Sequence, residues 1–168
     1  LTLQLRLSTQ DKDASLIGYV DDDWGENRVD RKSHSGYAFF INGGLISWCC
    51  RKQSCVSLST AEAEYIAICE AAKEIKYIYN LLNEMSISVC KPITIMEDNQ
   101  SCIKMINNEK FNARSKHIDI RYHFVKDLCN SKFIKLEYCS SENNISDILT
   151  KPLTKNRLLH LRNYLGLI

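Results

Sequence analysis

Apolar and polar positions fall into distinct blocks along the 168 residues. Residues 2–8, "TLQLRLS", alternate with period two as an edge strand does, and "TQDKD" then breaks the pattern. Strand signals follow at 16–22, 36–41 and 45–50. The last two flank Asn42-Gly43-Gly44, residues that tolerate the positive φ of a tight hairpin. From Ser59 to Met85 the spacing becomes helical, opening on a capping box, Ser59-Thr60-Ala61-Glu62. "ITIME" (93–97) predicts a short strand, Asn99 the start of a helix, and residues 115–132 another helix. "FIKLEYC" (133–139) predicts the last strand, and 145–149 with 155–165 a C-terminal helix. A hairpin followed by alternating strand and helix argues for an α/β fold, one mixed sheet covered by helices.

Composition adds bounds. A chain of 168 residues is most simply one domain with a single good core. With 25% charged residues and a net charge of +2, it permits a nucleic-acid partner without arguing for one. The eight cysteines form no C-x-x-C pair, which removes zinc-knuckle and thioredoxin readings. Most lie in apolar stretches and behave as small hydrophobes, so the expectation is a reduced, intracellular protein with Asn144-Ile145-Ser146 an incidental sequon. No apolar run approaches the ~20 residues of a membrane span, and no signal peptide opens the chain.

Acids stand in odd places. On a helical wheel Glu64 heads the stripe Ile68, Ala71, Ile75, Ile78 and Leu82, aimed where helix meets sheet. Glu62 lies about 160° away and serves the cap. The bland reading of Glu64 is a first-turn acid favoured by the helix dipole. Asp98 ends a strand just before a helix cap, where a turn residue is the ordinary reading, although ligands in such folds gather at strand ends. Asp147 lies in a first helical turn, where capping is the default. The triplet Asp21, Asp22 and Asp23 in "YVDDDW" would, taken singly, be a solvated strand end. Taken together, strand ends and helix starts carry acids without an excess of bases to pair them, and such hard oxygen donors suit Mg²⁺ or Mn²⁺ rather than zinc.

The ordered set "GYVDDDW", "DRKSHSGYAFF", "ISWCCRKQSCVSLSTAEAEY", "MEDNQSCI", "RSKHIDIRYHFVKD" and "LEYCSSENNISDILTKPL" resembles the ribonuclease H domain of copia-type (Pseudoviridae) LTR retrotransposon Pol polyproteins. The resemblance runs from about residue 15 to 168, leaving 1–14 as the expected junction from an upstream reverse transcriptase. It implies an RNase H-like fold, a five-stranded mixed sheet with helices on both faces, and a D-E-D-D site for two divalent ions. On the matching motifs these acids are Asp21, Glu64, Asp98 and Asp147, with Asp21 bridging, Glu64 and Asp98 on one ion and Asp147 on the other. Asp22 and Asp23 then become bystanders. Glu97, Cys102 and Ser146 depart from the family pattern, and the loop "CSSENN" lacks the His that cellular RNases H carry there.

The implied activity is metal-dependent hydrolysis of the RNA strand of an RNA–DNA hybrid during reverse transcription, giving 5′-phosphate and 3′-hydroxyl ends. Ser59, Thr60, Asn99 and Gln100 are candidates to read the 2′-hydroxyls. The implied partners are the hybrid and the reverse transcriptase of the same polyprotein, with no membrane. The implied location is the cytoplasm, in a virus-like particle, with the nucleus as alternative. His117 and Arg121 read as a buried structural pair before a substrate contact, and Arg31, Lys32, Arg51 and Lys52 as phosphate contacts or a solvated rim. The rival class is a non-catalytic, connection-like module that only binds hybrid.

Overall fold

The computed structural model describes residues 13–25, 29–107 and 116–166, and for 116–122 the backbone alone. The alternating segment at 2–8 and most of the expected junction lie outside the described residues, as do the side chains of His117 and Arg121.

Five strands form one sheet in the order β3-β2-β1-β4-β5. They are β1 (Leu16–Asp22), β2 (His34–Ile41), β3 (Gly44–Lys52), β4 (Ile93–Glu97) and β5 (Ile134–Tyr138). β1, β2 and β3 pair antiparallel, while β4 pairs parallel to both β1 and β5. The expected hairpin turn is present: Asn42 (φ 48°) and Gly43 (φ 81°) are both left-handed, the geometry that continues the strand twist through a two-residue loop. Ala14, just ahead of β1, is buried and forms a parallel bridge with Val89.

Helices cover both faces. α1 (Thr60–Glu84), α2 (Gln100–Asn107) and α3 (Lys116–Asn130) lie on one side. Their main cluster packs Ile68, Ile75, Cys102, Ile106, Val125 and Leu128 against Val20, Phe39, Ile93 and Ile95. A smaller cluster on the other face joins Ala38, Phe40, Ile145 and Leu165 to Ile17, Tyr19 and Leu149. It is roofed by α4 (Asp147–Thr150) and α5 (Lys155–Tyr164), which follow the short 3-10 turn at Ser141–Asn143. The expected C-terminal helix is thus two helices, since Pro152 cannot continue the backbone ladder.

α1 starts as its sequence predicts. Ser59 Oγ accepts from Glu62 N–H at 3.2 Å, while Glu62 Oε2 accepts from Leu58 N–H at 2.8 Å, one residue before the usual capping-box partner. With Glu62 turned to the cap, Glu64 faces the sheet and is 6% exposed. Buried Gln53 locks this turn to β2, donating to Ser35 Oγ and to the carbonyl of Ala63.

Candidate metal and active site

Two parallel strands end side by side. β1 and β4 pair at a constant offset, Ile17 opposite Thr94 and Tyr19 opposite Met96, and the same offset carried forward sets Asp21 against Asp98. Side chains alternate along a strand, so Asp21 turns with Ile17 and Tyr19 toward α4, and Asp22 turns with Val20 toward α1. Glu64 reaches the same strand ends from α1. Among the described residues, Asp21, Glu64 and Asp98 are the one group of three whose ligand atoms all lie within 4.8 Å of one another.

Asp21 is fully buried and Asp98 half-buried. One oxygen each of Glu64, Asp22 and Glu97 is buried with no hydrogen-bond partner. Asp22 is no solvated strand end: its Oδ1 accepts from Trp24 N–H at 2.5 Å and its other oxygen is sealed in. Glu97 likewise accepts from Asn99 N–H at 2.9 Å and is fully buried. Asp23 has a structural job, gripping His34 through the backbone N–H and through Nδ1 at 2.8 Å.

Burial and crowding make these acids poor acids. Burial lifts Asp21 to about 7 against the opposing pull of Lys151 and Thr150, and the Asp147 charge adds to the rise. Burial also lifts Asp22 to about 7, with Trp24 N–H and Lys151 opposing. Glu64 is raised well above the usual carboxylate range by burial and then by Glu97, Asp22, Asp21 and Asp98. Glu97 is raised by burial and by the neighbouring aspartates. The hard carboxylate oxygens of Asp21, Glu64 and Asp98 converge on one point, that of Glu64 without a partner, which suits an Mg²⁺- or Mn²⁺-sized cation, and the residues present fit that group.

Asp147 stands differently. It is buried, but Lys151 Nζ donates to its Oδ1 at 2.9 Å and Arg157 donates to its Oδ2. The same Lys151 Nζ donates to Asp21 Oδ1 at 2.6 Å, and Thr150 Oγ1 donates to Asp21 Oδ2. Asp147 therefore joins the other acids through a lysine bridge. Two features bring α4 this close. Gly36 pairs with Asp21 in the sheet, and a Cβ there would meet Thr150 Cγ2 at 2.6 Å and Leu149 Cβ at 3.1 Å. Asn144, fully buried, donates from Nδ2 to the carbonyl of Val20 at 2.8 Å and accepts Ser146 N–H at 3.2 Å.

The four candidate substrate contacts lie at the N-terminal ends of α1 and α2. Ser59 spends its oxygen on the α1 cap and Asn99 spends Oδ1 on Ser101 N–H and Cys102 N–H. Thr60 and Gln100 are exposed. Lys52 pairs with Asp30 at 2.6 Å, as a solvated rim residue does. Sequence reading missed Thr150, Lys151, Asn144 and Arg157. The i,i+4 spacing of Asp147 and Lys151 was a usable signal. Arg157, ten residues from Asp147 and on another helix, left none.

No family model matches the chain. It is 37% identical over 155 residues to the retrovirus-related Pol polyprotein from transposon TNT 1-94 of Nicotiana tabacum, covering 92% of this chain and 12% of that protein. Against the Pol polyprotein from transposon RE1 of Arabidopsis thaliana it is 33% identical, covering 90% and 10%. The chain is homologous to a segment of copia-type retrotransposon Pol polyproteins. It spans about a tenth of the length of these curated relatives. Solved structures fix the architecture of this Pol segment as the ribonuclease H fold. LC11-RNase H1 in complex with an RNA/DNA hybrid superposes with a TM-score of 0.59 at 12% identity, covering 81% of this chain and 94% of that one. Prototype foamy virus protease–reverse transcriptase gives a TM-score of 0.55 at 12% identity, covering all of this chain and 23% of the larger one. The five-stranded mixed sheet and the helices on both faces are as the motifs implied.

Proposed function

We propose that the chain is a ribonuclease H that hydrolyses the RNA strand of RNA–DNA hybrids during retrotransposon reverse transcription. The observation that carries this reading is the convergence of Asp21, Glu64 and Asp98 within 4.8 Å, with a buried Glu64 oxygen lacking any partner. In this reading Asp21, Glu64 and Asp98 hold one divalent cation, and Asp21 with Asp147 a second. Mg²⁺ or Mn²⁺ bound there would supply Lewis acidity toward the scissile phosphate and a water activated near neutral pH. The chain's own part is to fix these carboxylates before substrate arrives: the β1–β4 register sets Asp21 beside Asp98, the Ser59 cap and Gln53 orient the first turns of α1, and Asn144 clamps α4. Asn99, Gln100, Ser59 and Thr60 flank the acids at the two helix starts, where an A-form minor groove and its 2′-hydroxyls would lie. No histidine stands in "CSSENN", and Arg157 instead reaches both Asp147 and the carbonyl of Ser141. A guanidinium orients a carboxylate and neutralises charge, but does not shuttle a proton. The reverse transcriptase of the same polyprotein is the proposed partner, on the Pol relatives and the foamy virus fold match.

One observation favours a second reading, a module that binds hybrid without cutting it: both oxygens of Asp147 are already taken by Lys151 and Arg157. The experiment is cleavage of a labelled RNA–DNA hybrid, a DNA duplex and an RNA duplex in Mg²⁺, Mn²⁺, Ca²⁺ and chelator. The catalytic reading expects cuts in the hybrid's RNA strand alone, with Mg²⁺ or Mn²⁺ required and Ca²⁺ a poor substitute because it takes looser, longer coordination. Hybrid retention without any cleavage would select the binding module, and cleavage in chelator would remove the metal site from the account.

A further inference from the structure

We propose that Lys151 is a resident cation of the site, holding the position between Asp21 and Asp147 that a second divalent ion needs, so that the two halves of the site load in order. This rests on the preceding reading of the carboxylates as a metal site. Lys151 Nζ lies 2.6 Å from Asp21 Oδ1 and 2.9 Å from Asp147 Oδ1, in contact with both. Those two side chains are 0% and 2% exposed, and Lys151 and Arg157 are the cations that the described residues place on them. Among the described residues the Asp21–Glu64–Asp98 group has no cation beyond that shared contact at Asp21, and Glu64 keeps a buried oxygen unpartnered.

An ammonium touching both oxygens and a divalent ion touching the same oxygens exclude each other, by size and by like charge. Lys151 can yield. It lies at the C-terminal cap of α4, is 35% exposed, and carries its charge on a flexible four-carbon stem that can swing to solvent. Arg157 is pinned on the far oxygen of Asp147 and on the Ser141 carbonyl, so it stays. The first ion takes Glu64 and Asp98, which meet no cation among the described residues, and shares only Asp21 with Lys151 and Thr150. The second binds only to the fraction of molecules in which Lys151 has left, and its apparent affinity is reduced by that fraction. Lys151 is on this account a positioning residue, which keeps α4 seated on β1 without metal and gives way when the site fills.

The test is calorimetric titration of the 168-residue chain with Mn²⁺, in the natural sequence and in Lys151→Met, Lys151→Arg and Glu64→Gln. The natural chain is expected to show a tighter and a weaker event. Lys151→Met should tighten the weaker event by about fivefold or more, the usual lower range for coupled sites, and leave the tighter one in place. Lys151→Arg, which keeps the charge, should not tighten it. A second measurement needs no substitution: the ¹⁵N-resolved ammonium signal of Lys151 should be protected in chelator and lost, on titration with diamagnetic Mg²⁺, across the weaker event only. A weaker event unchanged or weakened in Lys151→Met overturns the proposal, as does an ammonium signal that persists through saturation. If Lys151→Met does not fold, the ammonium signal decides alone. A tighter event that Glu64→Gln abolishes would leave the metal-site reading standing even then, whereas no divalent binding at all would overturn both.

Discussion

Glu64 and Asp147 are both buried acids near the start of a helix beside the same strand end, yet they live in opposite surroundings. Glu64 sits among Glu97, Asp22, Asp21 and Asp98, with one oxygen sealed from both solvent and donors. Asp147 is as deeply buried but accepts from a lysine and an arginine. Burial of an acid is therefore not one signal but two. A buried carboxylate with resident cations is already neutralised and takes an outside ion only by exchange, whereas one facing other carboxylates needs a cation from outside.

The largest effect expected is on cleavage. Asp21→Asn, Glu64→Gln, Asp98→Asn and Asp147→Asn each remove ligand charge while keeping shape, and each should lower hybrid cleavage by about a thousandfold or more, some 4 kcal/mol of barrier. Glu62→Gln, two residues from Glu64, still serves the cap and should leave single-turnover rates nearly intact. If Asp147→Asn alone retained activity, the lysine-bridged half would be structural and the comparison would sharpen into one active half and one inert half.

Next in size is the pH dependence of stability without metal. Asp21 and Asp22 rise to about 7 from an ordinary 3.8, and Glu64 and Glu97 rise as well. The folded chain thus holds protons that the unfolded chain releases from about pH 4 upward. Stability from Asp21 and Asp22 is fully present below about pH 4 and is lost as pH rises through about 7, and Glu64 and Glu97 act in the same direction. Divalent ions, which bind the deprotonated carboxylates, should restore it at the upper end. Melting temperature against pH, in chelator and in Mg²⁺, checks both sign and rescue. A metal-free protein that gains stability between pH 4 and 7 would contradict the under-partnered state of the three-acid half.

The two acids should also separate by sign in chelator at pH 7. Glu64→Gln relieves charge crowding and should stabilise the metal-free fold. Asp147→Asn leaves Lys151 and Arg157 short of a partner. Breaking a buried pair costs about 3–5 kcal/mol, reduced here to about 1–3 because both cations are roughly a third exposed. Denaturant unfolding of the two variants measures this directly.

How much of this was readable beforehand follows from the range of each cause. Period-two and helical patterns placed every described strand and the long helix, because burying one face is a local rule. The wheel singled out Glu64, and the motif resemblance picked Asp21 from its triplet. The solvated strand end expected at Asp22 is buried instead, because its burial depends on where α1 crosses β1, which no short window contains. Lys151 was within reach through its i,i+4 relation to Asp147, but its second contact, to Asp21, spans 130 residues. Asn144 lies in the sequon expected to be incidental, and its bond to Val20 closes 124 residues of chain. Contacts of that length come from topology, and local pattern does not carry them.

The smallest effects test how each half is held in place. Asp147's turn has no side-chain cap at Ser146 and hangs instead on Asn144. Asn144→Ala strands the buried Val20 carbonyl and should cost about 1–3 kcal/mol, with a fall in cleavage because α4 is no longer fastened to the strand that carries Asp21. Glu64's turn hangs on two supports, the Ser59 cap and the Gln53 bond to Ala63. Ser59→Ala removes one support and should cost about 1 kcal/mol. Gln53 keeps the turn seated, so the single-turnover rate at saturating hybrid should change little, whatever the Ser59 hydroxyl adds to hybrid binding. Matched measurements of unfolding free energy and cleavage rate for the pair decide the point. Equal losses of activity at equal losses of stability would mean that neither turn is specially anchored. A loss confined to Asn144→Ala would place the weak joint of the site on the α4 side, where one amide does what two supports do for α1.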